Sequence, residues 1–167
     1  MNLWLSYGTM KQDMMGFTDA DGSMAEDRHA ISGYTFLIHG SAVTWSAKQQ
    51  EIITLSTTKA EYVAITHASK KALWLQSLIF QLFNIVLEPT TLFLDNKSAI
   101  ELMKDHQYHA QTKHIDILFH FIHWIVEEGS ICLVYCSTNE MIANMLTKAL
   151  PSTKVKHFAF QLGLSPA

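Results

Sequence analysis

Three carboxylates stand where the chain passes from one predicted element to the next. Asp19 ends a predicted strand, Glu61 lies in the first turns of a long predicted helix, and Asp95 ends a second buried strand. If these strands are neighbours, both Asp side chains project from one sheet edge, and a helix crossing above the sheet can bring Glu61 there. Converging carboxylates bind hard divalent cations. Two such ions about 4 Å apart can hold the attacking water and the leaving oxygen of a phosphodiester hydrolysis.

A purely structural interpretation of the same acids stays open at this point. Acidic residues at strand ends often form turns or cap helices, and Asn96 directly after Asp95 fits that role. The residue types and their spacing alone do not choose between convergence and capping.

The hydrophobic pattern predicts the elements that would position the acids. Alternating and buried apolar runs predict five strands, and the first three form a meander with a tight connection at 39–41. Helical spacing follows, first in one long segment and then between the later strands. The predicted strands are 14–19, 31–38, 42–46, 90–95 and 130–135, and the predicted helices are 57–83, one beginning near 97, 115–128, 140–149 and 154–162. This order predicts an α/β fold with a mixed sheet and helices packed on its faces.

Composition limits the class of protein. The chain has 167 residues, 49% of them hydrophobic and 16% charged, which is typical of one globular domain. We expect an extension at 1–13, the domain at 14–164 and a short tail at 165–167. The net charge of −3 gives no general support for nucleic-acid binding, so any phosphate contact needs a local basic patch. Two cysteines, no signal peptide and no membrane-spanning run favour a soluble, intracellular protein.

Seven short segments around the acids resemble one known family. In order along the chain they are FTDAD (17–21), SGYTF (32–36), VTWS (43–46), LSTTKAEY (55–62), TLFLDNKSA (91–99), TKHID (112–116) and LTKALP (146–151). Together they resemble the ribonuclease H domain of copia-type LTR retrotransposon Pol polyproteins. The resemblance extends over residues 16–164, which is nearly the whole chain.

The resemblance implies a fold and an activity. The fold is ribonuclease H-like: a five-stranded mixed sheet of three antiparallel strands followed by helix-linked parallel strands, with helices on both faces. The activity is endonucleolytic hydrolysis of the RNA strand of RNA–DNA hybrids during reverse transcription, with two Mg²⁺ ions as cofactors and Mn²⁺ as a substitute. The implied partners are the hybrid and the reverse transcriptase module of the same polyprotein, with no membrane.

The family's four acidic ligands are matched incompletely. Asp19, Glu61 and Asp95 match the first three, whereas Asn144 stands where the fourth acid is expected. An amide oxygen can ligate a cation but brings no negative charge, so the second metal ion would be held more weakly. If residues 140–149 form one helix, Glu140 lies one turn before Asn144 on the same face and could partly compensate. The loss of this acid also favours an alternative function, a weakened or inactive domain that binds nucleic acid or packs on the polymerase.

Basic, histidine and aromatic residues have weaker interpretations. Lys97, Lys113, His114 and Lys148, together with Lys48, are candidate substrate contacts, although lysines on a solvated surface would look the same. Five histidines between 106 and 123 invite a zinc site, but their spacing matches no common zinc motif and no zinc is expected. The bulky aromatic residues Trp45, Tyr62 and Trp74 are predicted to lie in the core.

Overall fold

A computed structural model describes residues 3–7, 13–21, 29–51, 56–104 and 113–166, and within these ranges the side chains of 102, 104, 113–116 and 166 are not described. The elements in chain order are β1 (Leu3–Leu5), β2 (Met14–Asp21), β3 (Ile31–Ile38), β4 (Ser41–Gln49), α1 (Thr57–Phe83), β5 (Thr90–Leu94), α2 (Lys97–Lys104), α3 (Lys113–Glu127), β6 (Ile131–Tyr135), α4 (Asn144–Thr147), α5 (Ser152–Gln161) and β7 (Leu164–Pro166).

Five strands form the central sheet in the order β4-β3-β2-β5-β6. The first three form an antiparallel meander, and the tight turn between β3 and β4 places His39 and Gly40 at positive φ. β5 runs parallel to β2, and β6 runs parallel to β5. The predicted mixed sheet is therefore confirmed, and its topology makes β2 and β5 adjacent at the centre.

The two faces of the sheet carry different helices. Alternate residues of a strand point to opposite faces, and Phe36 and Leu92 on one face pack in a core with Tyr62 of α1 and Phe119 of α3. The opposite face carries α4, because a side chain at Gly33 would meet the residues of that helix. Helices therefore cover both faces, as predicted.

Several boundaries follow the sequence pattern closely. β3 and α1 begin and end where the pattern predicts, and the Ser56 hydroxyl caps α1 by accepting a hydrogen bond from the Lys59 N–H. β4 extends to Gln49, three residues beyond the predicted end. These elements have strong periodicity because each packs one face on the core.

The predicted helix over 140–149 is wrong. Only Asn144–Thr147 form a helical turn, and turns occupy 138–140 and 142–143. Met141 and Ala143 are fully buried together with Cys136, so this segment packs as a compact loop under the sheet rather than as a continuous amphipathic helix. Glu140 is therefore not one helical turn from Asn144.

The chain termini form a small second sheet. β1 pairs antiparallel with β7, and Tyr7 donates a hydrogen bond to the Ala42 carbonyl oxygen at 2.8 Å. Part of the predicted 1–13 extension thus contacts the domain directly, and part of the predicted tail pairs with that extension. The domain boundaries themselves stay a prediction.

The aromatic predictions are correct for Tyr62 and wrong for two tryptophans. Tyr62 is buried at 2% exposure, whereas Trp45 and Trp74 are 60% and 52% exposed.

Within the described ranges, no helix has both the length and the hydrophobicity that a membrane span requires.

Candidate active site

The topology brings Asp19 and Asp95 to one edge of the sheet. β2 and β5 run parallel with Phe17 opposite Phe93, so each Asp lies two residues beyond this pair. The Phe17 and Phe93 rings stack with centroids 4.9 Å apart just below the acids. Both carboxylates therefore leave the ends of adjacent strands on the same face of the sheet.

Glu61 reaches the same edge from α1. The buried side chain of Gln50 donates hydrogen bonds to the Ser32 hydroxyl at 2.7 Å and to the Ala60 carbonyl oxygen at 2.8 Å, which ties the first turn of α1 to β3. The backbone N–H of Ala20 donates to the Glu61 carboxylate. These contacts fix the helix where Glu61 meets the end of β2.

The three carboxylates form one cluster. One oxygen from each of Asp19, Glu61 and Asp95 lies within 4.8 Å of the others. Asp19 and Glu61 are almost fully buried, at 1% and 6% exposure. Burial, together with repulsion from the Asp19 and Asp95 carboxylates, raises the pKa of Glu61 from 4.5 to about 9.

Two residues near α4 counteract the burial of Asp19. The Thr147 hydroxyl donates a hydrogen bond to one carboxylate oxygen, and the Lys148 ammonium lies 3.4 Å from the same carboxylate. Burial still raises the pKa of Asp19 above its ordinary value, and the Thr147 hydrogen bond and the Lys148 charge reduce that rise. Sequence reasoning missed Thr147, although it lies three residues after Asn144 on the same helical turn.

The donor set of the cluster fits a hard divalent cation. All three members offer carboxylate oxygens, which Mg²⁺ and Mn²⁺ prefer. A cation between them would also relieve the mutual repulsion that raises the pKa of Glu61. Within the described ranges, this is the one group of three or more histidine, cysteine or acidic side chains close enough to share an ion.

Sequence comparison relates the chain to transposon polyproteins. It is 38% identical over 151 residues to the Retrovirus-related Pol polyprotein from transposon TNT 1-94 of Nicotiana tabacum, which covers 90% of this chain and 11% of that protein. It is 31% identical over 150 residues to the Pol polyprotein from transposon RE1 of Arabidopsis thaliana, covering 89% of this chain and 10% of that protein. The chain thus spans about a tenth of the length of these relatives. No protein-family model matches the chain.

Structural comparison identifies the fold. LC11-RNase H1, isolated from compost by a metagenomic approach, superposes with a TM-score of 0.61 at 19% identity, covering 82% of this chain and 94% of the other. The chain has the ribonuclease H-like fold and is similar in sequence to one segment of retrotransposon Pol polyproteins. The same LC11 enzyme in complex with an RNA/DNA hybrid superposes with a TM-score of 0.58 at 17% identity, covering 81% of this chain and 94% of that one.

Asn144 of this ribonuclease H-like domain is buried at 1% exposure. Its side-chain N–H donates to the Thr138 carbonyl oxygen at 2.9 Å. Its Oδ1 is buried and accepts no hydrogen bond from the described residues. A buried acceptor without a donor is costly, so this oxygen is suited to meet a cation or a water molecule.

The remaining predicted site residues have different surroundings. The Lys97 ammonium lies 4.6 Å from the centre of the Tyr135 ring and is exposed at the start of α2. Lys113 and His114 begin α3, but their side chains lie outside the described part of the domain, as do His106 and His109. Glu140 is exposed and accepts a hydrogen bond from Ser137 at 3.1 Å, so it is held by its own turn.

Proposed function

We propose that this ribonuclease H-like domain hydrolyses the RNA strand of RNA–DNA hybrids in a metal-dependent reaction, as one segment of a longer polyprotein that carries out reverse transcription. The observation that carries the proposal is the convergence of Asp19, Glu61 and Asp95 at one sheet edge. The hybrid in the LC11 complex supports this choice of substrate.

The protein's own residues have distinct roles in this proposal. Asp19, Glu61 and Asp95 would hold two Mg²⁺ ions, for which Mn²⁺ can substitute, and the Asn144 Oδ1 would complete the set. Bound divalent ions supply the positive charge that activates a water molecule and stabilises the charge developing on the phosphate. Thr147 and Lys148 orient the Asp19 carboxylate through their contacts with its oxygens.

Substrate contacts and partners extend beyond the acids. Lys97, Lys113 and His114 belong to the starts of α2 and α3, and we assign them contacts to hybrid phosphates. The proposed macromolecular partner is the reverse transcriptase module of the same polyprotein, because the chain spans only a tenth of its polyprotein relatives. We therefore propose an intracellular location for this reaction.

Cleavage of a labelled RNA–DNA hybrid in Mg²⁺ or Mn²⁺ tests the proposal. Asp95→Asn removes the negative charge of one ligand of the cluster and should reduce cleavage at least about a hundredfold. Glu101→Gln is the matched control, because it removes one acidic charge from an exposed position on α2 and should cleave normally. Equal cleavage by the original chain and Asp95→Asn would refute the assignment.

The second candidate function is a catalytically silent or weakened domain that binds nucleic acid or packs on the polymerase. The buried amide at Asn144 favours it, because this position contributes no negative charge to the cluster. Asn144→Asp separates the candidates. A silent domain that gains hybrid cleavage with this single change would identify the amide as the cause of its inactivity.

A further inference from the structure

A groove of about 500 Å³ lies between α1 and the edge strand β4 with its neighbour β3. One wall is a stripe of α1 at helical spacing, formed by His67, Lys70, Lys71 and Trp74. The other wall consists of two cross-strand pairs, Ser32 with Lys48 and Tyr34 with Ser46. We call this feature the basic groove.

The basic groove concentrates positive charge in a chain that is acidic overall. Three of its twelve lysine and arginine residues line the groove, and no acidic residue of the described ranges does, while the net charge of the chain is −3. Among the described residues, Glu51 partly neutralises this charge, because its carboxylate oxygen lies 2.8 Å from the Lys48 ammonium on the exposed rim. Lys70 and Lys71 have no such acidic partner within the described ranges.

Contacts with aromatic rings order two of the lysine side chains that line the groove. The Lys71 ammonium lies 3.8 Å from the centre of the Trp74 ring, which orders an otherwise flexible side chain. Lys70 lies 5.7 Å from the Phe121 ring. Burial lowers the pKa of His67, repulsion from the nearby Lys70 and Lys48 ammonium groups also lowers it, and Glu51 partly opposes these effects.

The groove begins beside the acidic cluster. Ser32 is paired with Ala20, the residue after Asp19, and Gln50 joins Ser32 to the residue before Glu61. Along α1, His67 and Trp74 lie about 9 and 20 Å beyond Glu61 at 1.5 Å per residue. A nucleic-acid strand that crosses the acids can therefore continue into the groove.

We propose that the basic groove binds the phosphodiester backbone of a nucleic-acid strand that extends past the acidic cluster. This proposal rests on the proposed function for its choice of nucleic acid over an acidic protein. Lys48, Lys70 and Lys71 contact phosphates, and Ser32 and Ser46 offer hydroxyl donors between them. Binding through phosphates is independent of sequence and falls as salt concentration rises.

Binding without cleavage tests the groove separately from the activity. Anisotropy of a labelled single-stranded RNA of about 16 nucleotides, and of a blunt RNA–DNA hybrid of about 16 base pairs, is measured with the full chain in EDTA over a range of salt. The Lys70→Gln/Lys71→Gln variant should weaken binding and reduce the slope of log K against log salt by about two. Because no cleavage occurs in EDTA, a failed cleavage assay would leave this result unaffected.

Two matched variants control for general charge and for folding. Lys154→Gln/Lys156→Gln removes the same charge from α5 outside the groove and should change the slope less. Lys70→Arg/Lys71→Arg keeps the charge and should bind as the original chain does. Thermal unfolding of each variant checks that the fold is retained.

Each outcome decides the proposal. If the Lys70→Gln/Lys71→Gln variant loses affinity only for the hybrid, the groove binds the duplex backbone. If it loses affinity only for the single-stranded RNA, the groove binds a strand that extends past the acids. An unchanged slope, or an equal loss in the α5 variant, would overturn the proposal. So would displacement of the RNA by a poly-glutamate peptide as effectively as by unlabelled RNA, since this would indicate an acidic protein ligand.

Discussion

Asp19 lies between groups that act on its charge in opposite directions. Burial and the nearby Asp95 carboxylate disfavour the ionised form, whereas the Thr147 hydroxyl and the Lys148 ammonium stabilise it. The ionised form of Glu61 is stabilised less, because the strongest contact that favours it is the hydrogen bond from the backbone N–H of Ala20. At the scale of single residues, burial therefore favours the protonated form of Glu61, and a bound cation would favour its ionised form.

The stability of the metal-free protein should decrease as the pH rises. The pKa of Glu61 is raised from 4.5 to about 9 in the fold, so between these values the folded chain holds a proton that the unfolded chain releases. Stability is highest below about pH 4.5 for this group and is lost towards pH 9. Thermal unfolding in EDTA should show a fall of roughly 5–10 °C between pH 5.5 and 8.5.

Glu61→Gln provides the matching control, because it removes the titrating group and should flatten this pH profile. Saturating Mg²⁺ should flatten the profile of the original chain by replacing the proton. An equally steep profile in Glu61→Gln would contradict the assignment to this residue.

Asn144→Asp should have opposite effects on stability and on metal affinity. The substitution replaces the donor to the Thr138 carbonyl oxygen with a buried carboxylate, which should cost about 1–3 kcal/mol in EDTA. The added charge should strengthen Mg²⁺ binding several-fold, measured by calorimetric titration. Asn139→Asp, on an exposed neighbour, should change neither quantity.

At the scale of elements, the approach of α4 to the sheet depends on Gly33. A Cβ atom at this position would lie 2.8 Å from Thr147 Cγ2 and 2.9 Å from Leu146 Cβ. The absence of a side chain on β3 thus lets α4 come close enough for Thr147 to donate to Asp19 on β2. A glycine in a strand weakens it, and here it marks this close approach.

Gly33→Ala should therefore disturb the site from a distance. We expect a loss of about 1–3 kcal/mol in the free energy of unfolding, together with weaker Mg²⁺ binding, because α4 must shift away from Asp19. Chemical denaturation and metal titration measure the two effects. Adding Thr147→Ser removes the methyl group that the new Cβ meets and keeps the hydroxyl, so it should restore part of both losses. No rescue would mean that the disturbance arises elsewhere.

At the scale of the whole molecule, the terminal sheet joins the two ends of the chain beside β4. β1 and β7 pair with each other, the Ser6 N–H donates to the Gly163 carbonyl oxygen at 3.1 Å, and the Ala42 N–H donates to the Leu162 carbonyl oxygen at 3.0 Å. Leu5 and Leu164 also line an apolar cavity of about 280 Å³ beside Trp45. None of these described contacts involves Asp19, Glu61 or Asp95, so the contribution of the sheet should be to stability.

Deletion of residues 1–7 should lower the melting temperature without altering metal binding. The deletion removes the β1 pairing and the Tyr7 hydrogen bond, which together should contribute about 1–3 kcal/mol, or roughly 3–10 °C. Trp4→Ser changes an exposed side chain and keeps the backbone pairing, so it should melt close to the original chain. A deletion that abolishes Mg²⁺ binding would show that the terminal sheet also supports the acidic cluster.

Local periodicity was sufficient to predict most of the fold. β3, α1 and the positions of the five central strands along the chain follow from apolar spacing, because each of these elements buries one continuous face. The positions of Asp19, Glu61 and Asp95 at element ends were also evident from the sequence, since strand and helix ends interrupt apolar runs. These features depend on neighbours close along the chain.

Contacts between segments that are distant in sequence became evident from the folded structure alone. The segment at 141–143 is a buried loop because it packs with Cys136 under the sheet, although its local pattern predicts a helix. Trp74 is exposed because it lies on the face of α1 that lines the basic groove, although Ala72 and Leu75 beside it are in the core. Thr147 reaches Asp19 across 128 positions of sequence. The pairing of β1 with β7 is equally remote. Such contacts depend on the three-dimensional meeting of surfaces, which the local pattern of one segment does not encode.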